Sequence, residues 1–218
     1  MNWLHRRLCA SRGWRAWLER DLLPWALDGV VAGGDVLEIG SGPGAATDFL
    51  CARSRHVTCV EIDRGLAARL ARRLADRNAG VCCADGAALP LPDGAFDTVV
   101  CAMVLHHIAS PARQDRVLAE AARVLRPGGT FVMLDSLPSL PLRALHLGDT
   151  LRLVNPETID DRLARSGFSS IRIDFRTREF RVQAAIGRRR YPGRAMSGES
   201  RYEPLSSNAI PNESTKSR

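Results

Sequence analysis

Asp35-Val-Leu-Glu-Ile-Gly-Ser-Gly-Pro-Gly44 reads as a short buried strand that runs directly into a glycine-rich turn. The glycines permit a tight turn and let the backbone approach a ligand where a Cβ would collide. Outward from this stretch the pattern alternates. Apolar runs at 56–61, 80–84, 96–102 and 129–135 read as strands, and 45–53, 64–77 and 111–125 between them read as helices. Strands alternating with helices signal βαβ units and a parallel sheet. Ser110 is placed to cap the third of these helices and Pro111 to occupy its first position. Asn155-Pro156 opens a further helix that runs to Ser166 and stops at Gly167, and 168–175 with 179–187 reads as a closing antiparallel pair. The expected fold is a single α/β domain, doubly wound and Rossmann-like.

Composition agrees with one domain and tails. The chain has 218 residues, 45% hydrophobic and 25% charged, which excludes a wholly disordered or fibrous protein. No stretch approaches the roughly 18 apolar residues of a membrane-spanning helix. The net charge of +7 sits at the ends: residues 29–187 hold nineteen basic against eighteen acidic residues. A nucleic-acid enzyme concentrates positive charge around its site, so no nucleic-acid partner is expected. The six cysteines show neither C-x-x-C nor Cys/His zinc spacing and read as reduced, mostly buried side chains; no metal site is expected.

Residues 1–28 contain all four tryptophans, and Trp14, Trp17, Leu18 and Leu22 recur at helical spacing among Arg15, Glu19 and Arg20. The preferred reading is an amphipathic lid packed over the domain; the lesser one is a helix lying on a membrane. Charges interrupt the basic start, so it does not read as a secretory signal, and a cytoplasmic location is expected. Residues 188–218, rich in serine, proline and arginine, read as a disordered tail. The three parts are thus 1–28, 29–187 and 188–218.

A glycine loop alone is weak evidence of a ligand, and read through Ala45 it even fits a dinucleotide fingerprint. Three carboxylates sharpen it. Glu38, two residues before the first glycine, would repel a pyrophosphate but suit a cationic ligand. Glu61 ends the next strand, where its oxygens can accept from both hydroxyls of a ribose, and Ile62 offers an apolar face to an adenine. Asp85-Gly86 follows the third strand, where a carboxylate can accept from an exocyclic amine while the next N–H donates to a ring nitrogen. All three converge on the crevice where open α/β sheets bind ligands.

These motifs together resemble a known family. DVLEIGSGPG (35–44), VTCVEID (57–63), ADGAALPLPDGAFD (84–97), VVCAMVLHHI (99–108) and VLRPGGTFVMLD (124–135) are similar, in order and spacing, to the motifs of class I S-adenosylmethionine-dependent methyltransferases of the small type 11 group. The resemblance covers about 30–187. It implies a seven-stranded, mostly parallel sheet of order 3-2-1-4-5-7-6 with the last strand antiparallel. It implies S-adenosylmethionine as cofactor and S-adenosylhomocysteine as product. Gly40, Gly42 and Gly44 would cradle the methionine part with Glu38 near its ammonium. Glu61 would hold the ribose, Ile62 would pack on adenine, and Asp85 and the Gly86 N–H would read the adenine edge. Ala102 and Met103 would lie near the sulfonium. The Asn/Asp-Pro-Pro-Tyr/Phe element of amino-methylating relatives is replaced by Cys101-Ala102-Met103-Val104, which argues against methylation of DNA bases.

His106 and His107 follow the fourth strand, and either could serve as general base for a hydroxyl nucleophile. His146 and Asp149 are within reach of the pocket, though a surface reading is preferred. The expected acceptor is a small, partly apolar molecule methylated at oxygen or carbon, bounded by Trp3, Trp14, Trp17 and the Leu-rich 136–154. The alternatives are an inactive cofactor-binding relative and an RNA methyltransferase. An NAD-dependent oxidoreductase lacks its catalytic Tyr/Lys element: the single Lys216 and both tyrosines, Tyr191 and Tyr202, follow the core.

Overall fold

The computed structural model describes residues 2–187. The tail expected at 188–218 lies outside the described residues. Seven strands form one sheet: β1 (Asp35–Ile39), β2 (His56–Glu61), β3 (Ala79–Cys83), β4 (Phe96–Ala102), β5 (Leu125–Ser136), β6 (Phe168–Phe175) and β7 (Glu179–Ile186). Their order is β3-β2-β1-β4-β5-β7-β6. Pairings from β3 to β5 are parallel, and β7 runs antiparallel to both β5 and β6. This is the order and direction that the family resemblance implied.

The strands are apolar on both faces because helices cover both. Alternation divides the core. Leu37, Val99, Cys101, Phe131 and Met133 face one layer, while Val36, Val100, Val132 and Leu134 face the other. The first layer is closed by α6 (Pro111–Val124), whose Val117, Leu118, Ala121 and Val124 form one buried stripe, and by α8 (Ile159–Arg165). The Ser110 side chain accepts from the Arg113 N–H, and Pro111 sits where its missing N–H costs nothing.

The second layer is closed by α4 (Thr47–Cys51), α5 (Arg64–Arg73) and the N-terminal helices α2 (Arg12–Trp17) and α3 (Leu23–Ala26), which α1 (Trp3–Cys9) precedes. A π-helical turn, Leu18–Leu22, joins α2 to α3. The N-terminal segment therefore divides. Leu18, Leu22, Leu23 and Ala26 belong to the sheet's core, whereas α1 and α2 lie nearer the strand ends. Short α7 (Leu140–Leu145) follows β5.

Several boundaries move from those expected. β5 begins four residues earlier than 129, because Phe96 pairs with Leu125 across a bulge. The helix expected at 45–53 shortens to α4, since 43–46 form the turns of the glycine loop. The helix expected from Asn155 begins at Ile159 after a turn. All six cysteines are free; Cys51, Cys59 and Cys101 are buried, but Cys83 at the end of edge strand β3 is exposed. Among the described residues no helix is long and apolar enough to cross a membrane.

Candidate active site

The carboxyl ends of β1, β2, β3 and β4 open into a cavity of about 960 Å³. Consecutive parallel strands end on the same edge of the sheet, so their terminal side chains meet there. Glu38, Gly40, Gly42, Glu61, Ile62, Asp85, Gly86, Ala102 and Met103 all line this cavity. Gly44 does not. It turns at φ +81° against Leu70 and Arg73 of α5, where a Cβ would collide, so its part is to let the loop pack.

Glu38 is buried, and its Oε2 accepts from the Thr47 hydroxyl at 2.6 Å and the Cys59 thiol at 3.6 Å. Burial pushes its carboxyl up to about 7, against the pull of those hydrogen bonds. Glu61 is buried as well, and its two oxygens accept from different backbone donors. Oε2 takes the Gly42 N–H at 2.7 Å, and Oε1 takes the Asp63 N–H at 2.8 Å. The carboxylate thereby ties the glycine loop to the turn after β2, leaving each oxygen a second lone pair. Asp85 accepts from the Ala87 N–H at 3.0 Å and forms an ion pair with Arg113 of α6. Ile62 is 64% exposed, an apolar side chain presented to the cavity. Gly42, at φ +55°, has nothing within 4 Å of where a Cβ would stand, so a side chain there would intrude on the cavity. Met103 has φ 58°, rare for a residue with a side chain, at the point where β4 turns away under the site.

The opposite end is built from histidines. His106 lies in the 3-10 turn Leu105–His107, and its Nδ1 bonds the buried Asp135 of β5. Gln114 of α6 fixes that turn by donating to the Leu105 carbonyl at 3.0 Å. Burial lowers the His106 imidazole, but the adjacent Asp135 carboxylate outweighs it and the net shift is upward. His107 is pushed down to about 2 by burial and the surrounding imidazoles, and His5 of α1 down to about 4 for the same reasons. His146 follows α7; burial lowers it too. Ring centroids of His5, His107 and His146 lie 4.3–5.0 Å apart.

Asn2 holds this end together. It caps α1 by accepting from the His5 N–H, while its own N–H donates to Asp149 at 3.0 Å and its amide to the Leu145 carbonyl at 2.8 Å. Trp14, Trp17 and Leu18 complete an apolar wall with Pro141, Leu142 and Leu145.

Besides the role of Gly44, three expectations are corrected. His146 is buried and lines the cavity with Asp149, so the surface reading fails: α1 covers them. Trp3 stands 73% exposed, away from the wall, because α1 turns its His5 side inward instead. Asp85 is not a free acceptor, being shared with Arg113. Sequence reasoning missed Thr47, Asp135, Arg113 and His5. The end of β5 could have suggested Asp135, and a hydroxyl opening the helix after the loop could have suggested Thr47. Nothing in the sequence pairs His5 with His146.

Residues 37–133 match the family model of a methyltransferase domain. This stretch of the chain thus carries the type 11 methyltransferase domain that the motifs resemble. Over 83 residues, 37% of the chain, the domain is 41% identical to a ubiquinone/menaquinone biosynthesis C-methyltransferase of Methylobacterium nodulans, of which it covers 32%. Over 148 residues, 63% of the chain, it is 32% identical to a probable S-adenosylmethionine-dependent methyltransferase of Mycolicibacterium smegmatis, of which it covers 52%. The chain thus spans between a third and about half of the length of these relatives. In fold, the methyltransferase domain resembles the PH0226 protein of Pyrococcus horikoshii, with a TM-score of 0.68 at 19% identity, covering 82% of this chain and 93% of that one.

Proposed function

We propose that this domain binds S-adenosylmethionine at the carboxylate end of the cavity and transfers its methyl group to a small, partly apolar acceptor at oxygen or carbon. The observation that carries the reading is one cavity whose two ends differ. Glu38, Glu61 and Asp85 stand at three neighbouring strand ends, and imidazoles with an apolar wall stand opposite. The residues fit the cofactor. Gly42 leaves room where a side chain would intrude, Ile62 presents an apolar face, and the buried Glu38 is hydrogen-bonded by neutral donors, the Thr47 hydroxyl and the Cys59 thiol.

In this reading Glu38 faces the cofactor's ammonium, and the loop at Gly40 and Gly42 runs beside its methionine part. The second lone pairs of Glu61 accept from the ribose hydroxyls. Ile62 packs on adenine, whose edge meets Asp85 and the Gly86 N–H, and Ala102 and Met103 flank the sulfur. Gly44 supports the loop from behind. When bound, the sulfonium supplies a methyl group whose in-line transfer disperses positive charge, so a dry, aligned site accelerates it. The helices α1 and α2 keep water from the reacting end. His106, whose Nδ1 is held by Asp135, directs Nε2 chemistry at the acceptor and is the preferred general base for a hydroxyl; His107 is the alternative.

The relative from Methylobacterium nodulans, a C-methyltransferase of quinone biosynthesis, supports quinols and phenols as the first acceptors to try. Calorimetry tests the cofactor claim: S-adenosylhomocysteine binds and NAD binds far more weakly. Tight NAD binding with no response to S-adenosylhomocysteine overturns it. Methyl transfer to quinols, phenols and acyl acids then tests the acceptor class.

A further inference from the structure

We propose that His5, His107 and His146 form a site for one divalent transition-metal ion, of the zinc, cobalt or nickel kind, at the histidine end of the cavity. Four of the chain's five histidines gather there, from α1, the 3-10 turn and the segment after α7. A ligand atom from each of the three lies within 4.8 Å of those of the others. Nitrogens that share a cation at about 2.0–2.1 Å stand roughly 3.4 Å apart, so side-chain movements of about 1 Å would close the site.

The hydrogen bonding around these rings points to a missing partner. His146 Nδ1 sits 2.8 Å from the Leu142 carbonyl, which can only accept. Nδ1 therefore carries the proton, and Nε2 is left as a bare lone pair. That Nε2 is buried and has no hydrogen-bond partner, and the same is true of His5 Nδ1. Buried polar atoms are seldom left so, and here two belong to rings whose centroids lie 4.3 Å apart. A histidine whose far nitrogen donates to a backbone carbonyl is also the usual arrangement behind a metal-ligating nitrogen. The Asp149 carboxylate, 3.6 Å from His5 Nδ1, brings a negative charge beside the three neutral rings.

The donor set selects the ion. Imidazoles suit zinc, copper, iron and nickel, whereas magnesium and calcium demand oxygen ligands. All three rings line the cavity, so the cation borders the space that the methyltransferase reading assigns to the acceptor. On that reading, an oxygen donor of the acceptor, such as a phenolate, enolate or carboxylate, is the class of ligand that would complete the coordination.

The test uses the full chain without a histidine tag, freed of metal by a chelator and titrated with cobalt(II) alone. Expected are one equivalent bound and the visible d–d absorption of a four-coordinate centre. His146→Gln and His5→Gln should each weaken binding by more than about 100-fold, beyond the 10–100-fold that follows loss of an outer-shell partner. His56→Gln, at the exposed start of β2, should bind as the parent does. No saturable cobalt uptake by the parent chain overturns the site, whether or not the variants fold. So does uptake undiminished in both variants. Calorimetry with S-adenosylhomocysteine on the metal-free chain keeps the two readings apart: nucleoside binding without metal uptake sinks the metal site alone, and metal uptake without nucleoside binding sinks the cofactor reading alone.

Discussion

At one end of the cavity, Glu38, Glu61 and Asp85 stand at the ends of three neighbouring strands; at the other, four histidines arrive from three separated parts of the chain. The first group meets because of topology alone. Parallel strands joined by right-handed crossovers end on one edge, so a residue's place at a strand end already gives its place in the site. In the second group His106, His107 and His146 meet through loops after β4 and α7. His5 joins them only because α1 docks there, where Asn2 reaches Asp149 over 147 positions of sequence. One end of the site is thus a property of the sheet, and the other a property of how loops and a short helix dock. The two ends should fail differently.

The largest expected effect lies at the histidine end. His106→Ala removes the imidazole that Asp135 orients, and turnover of a hydroxyl acceptor should fall by about 10²–10⁴-fold, the usual contribution of a general base. Binding of S-adenosylhomocysteine should hold, because the carboxylate end is untouched. Rate measurements at saturating cofactor beside calorimetry check both halves. Equal losses of rate and cofactor affinity would mean that the two ends are one structural unit.

The carboxylate end should instead announce itself in stability against pH. Glu38 titrates at about 7 in the folded chain, above its ordinary 4.5. Between those values the folded state keeps a proton that the unfolded state has released. Its contribution is therefore fully present below about pH 4.5 and lost as pH rises through about 7, a change on the order of 3 kcal/mol. Glu38→Gln, neutral throughout, should lack this decline. Urea titrations of both chains between about pH 4.5 and 8 check it, and parallel curves would show that Glu38 is not what titrates.

The same contrast explains what could be read in advance. The strand positions and the carboxylates follow from apolar periodicity and motif spacing, both local properties of the chain, whereas the sheet order came only with the family resemblance. The role of Gly44 was misread because a glycine that admits a ligand and one that admits a packed helix look alike in sequence. His5 was invisible because its partners are set by tertiary packing, and His146 looked exposed because nothing in Leu145–Thr150 reveals what will cover it. The exposed Trp3 is the reverse case: an aromatic in an amphipathic pattern, but on the side of α1 turned away from the cavity.

Glu61 lies between these extremes, since its position is legible and its bonding is not. Glu61→Ala deletes two acceptors that hold the Gly42 and Asp63 N–H groups as well as any ribose hydroxyls. Hydrogen bonds to a charged group contribute about 1.5–3 kcal/mol, and cofactor binding should weaken by that order. The loop should loosen too, so amide exchange at Gly42 should quicken in the variant without ligand. Weakened binding with unchanged exchange would assign Glu61 to the ligand alone; quickened exchange with unchanged binding would make it purely structural.

The smallest effect belongs to Arg113, and it tests whether the carboxylate end is as independent of its surroundings as the comparison holds. Arg113 pairs with Asp85, but the side chains are 46% and 36% exposed, and ion pairs so open to water contribute about 0.2–1 kcal/mol. Arg113→Ala should therefore change stability by less than about 1 kcal/mol. It also releases the Asp85 oxygen that the ligand's amine is expected to use, so S-adenosylhomocysteine should bind up to about five-fold more tightly. Salt supplies a second reading, because screening weakens the ion pair in the parent chain. Affinity should then rise slightly with ionic strength in the parent and stay level in Arg113→Ala. A fall in affinity on removing Arg113 would instead make the guanidinium part of the nucleoside site, and the end of β3 would then depend on α6 as the histidine end depends on α1.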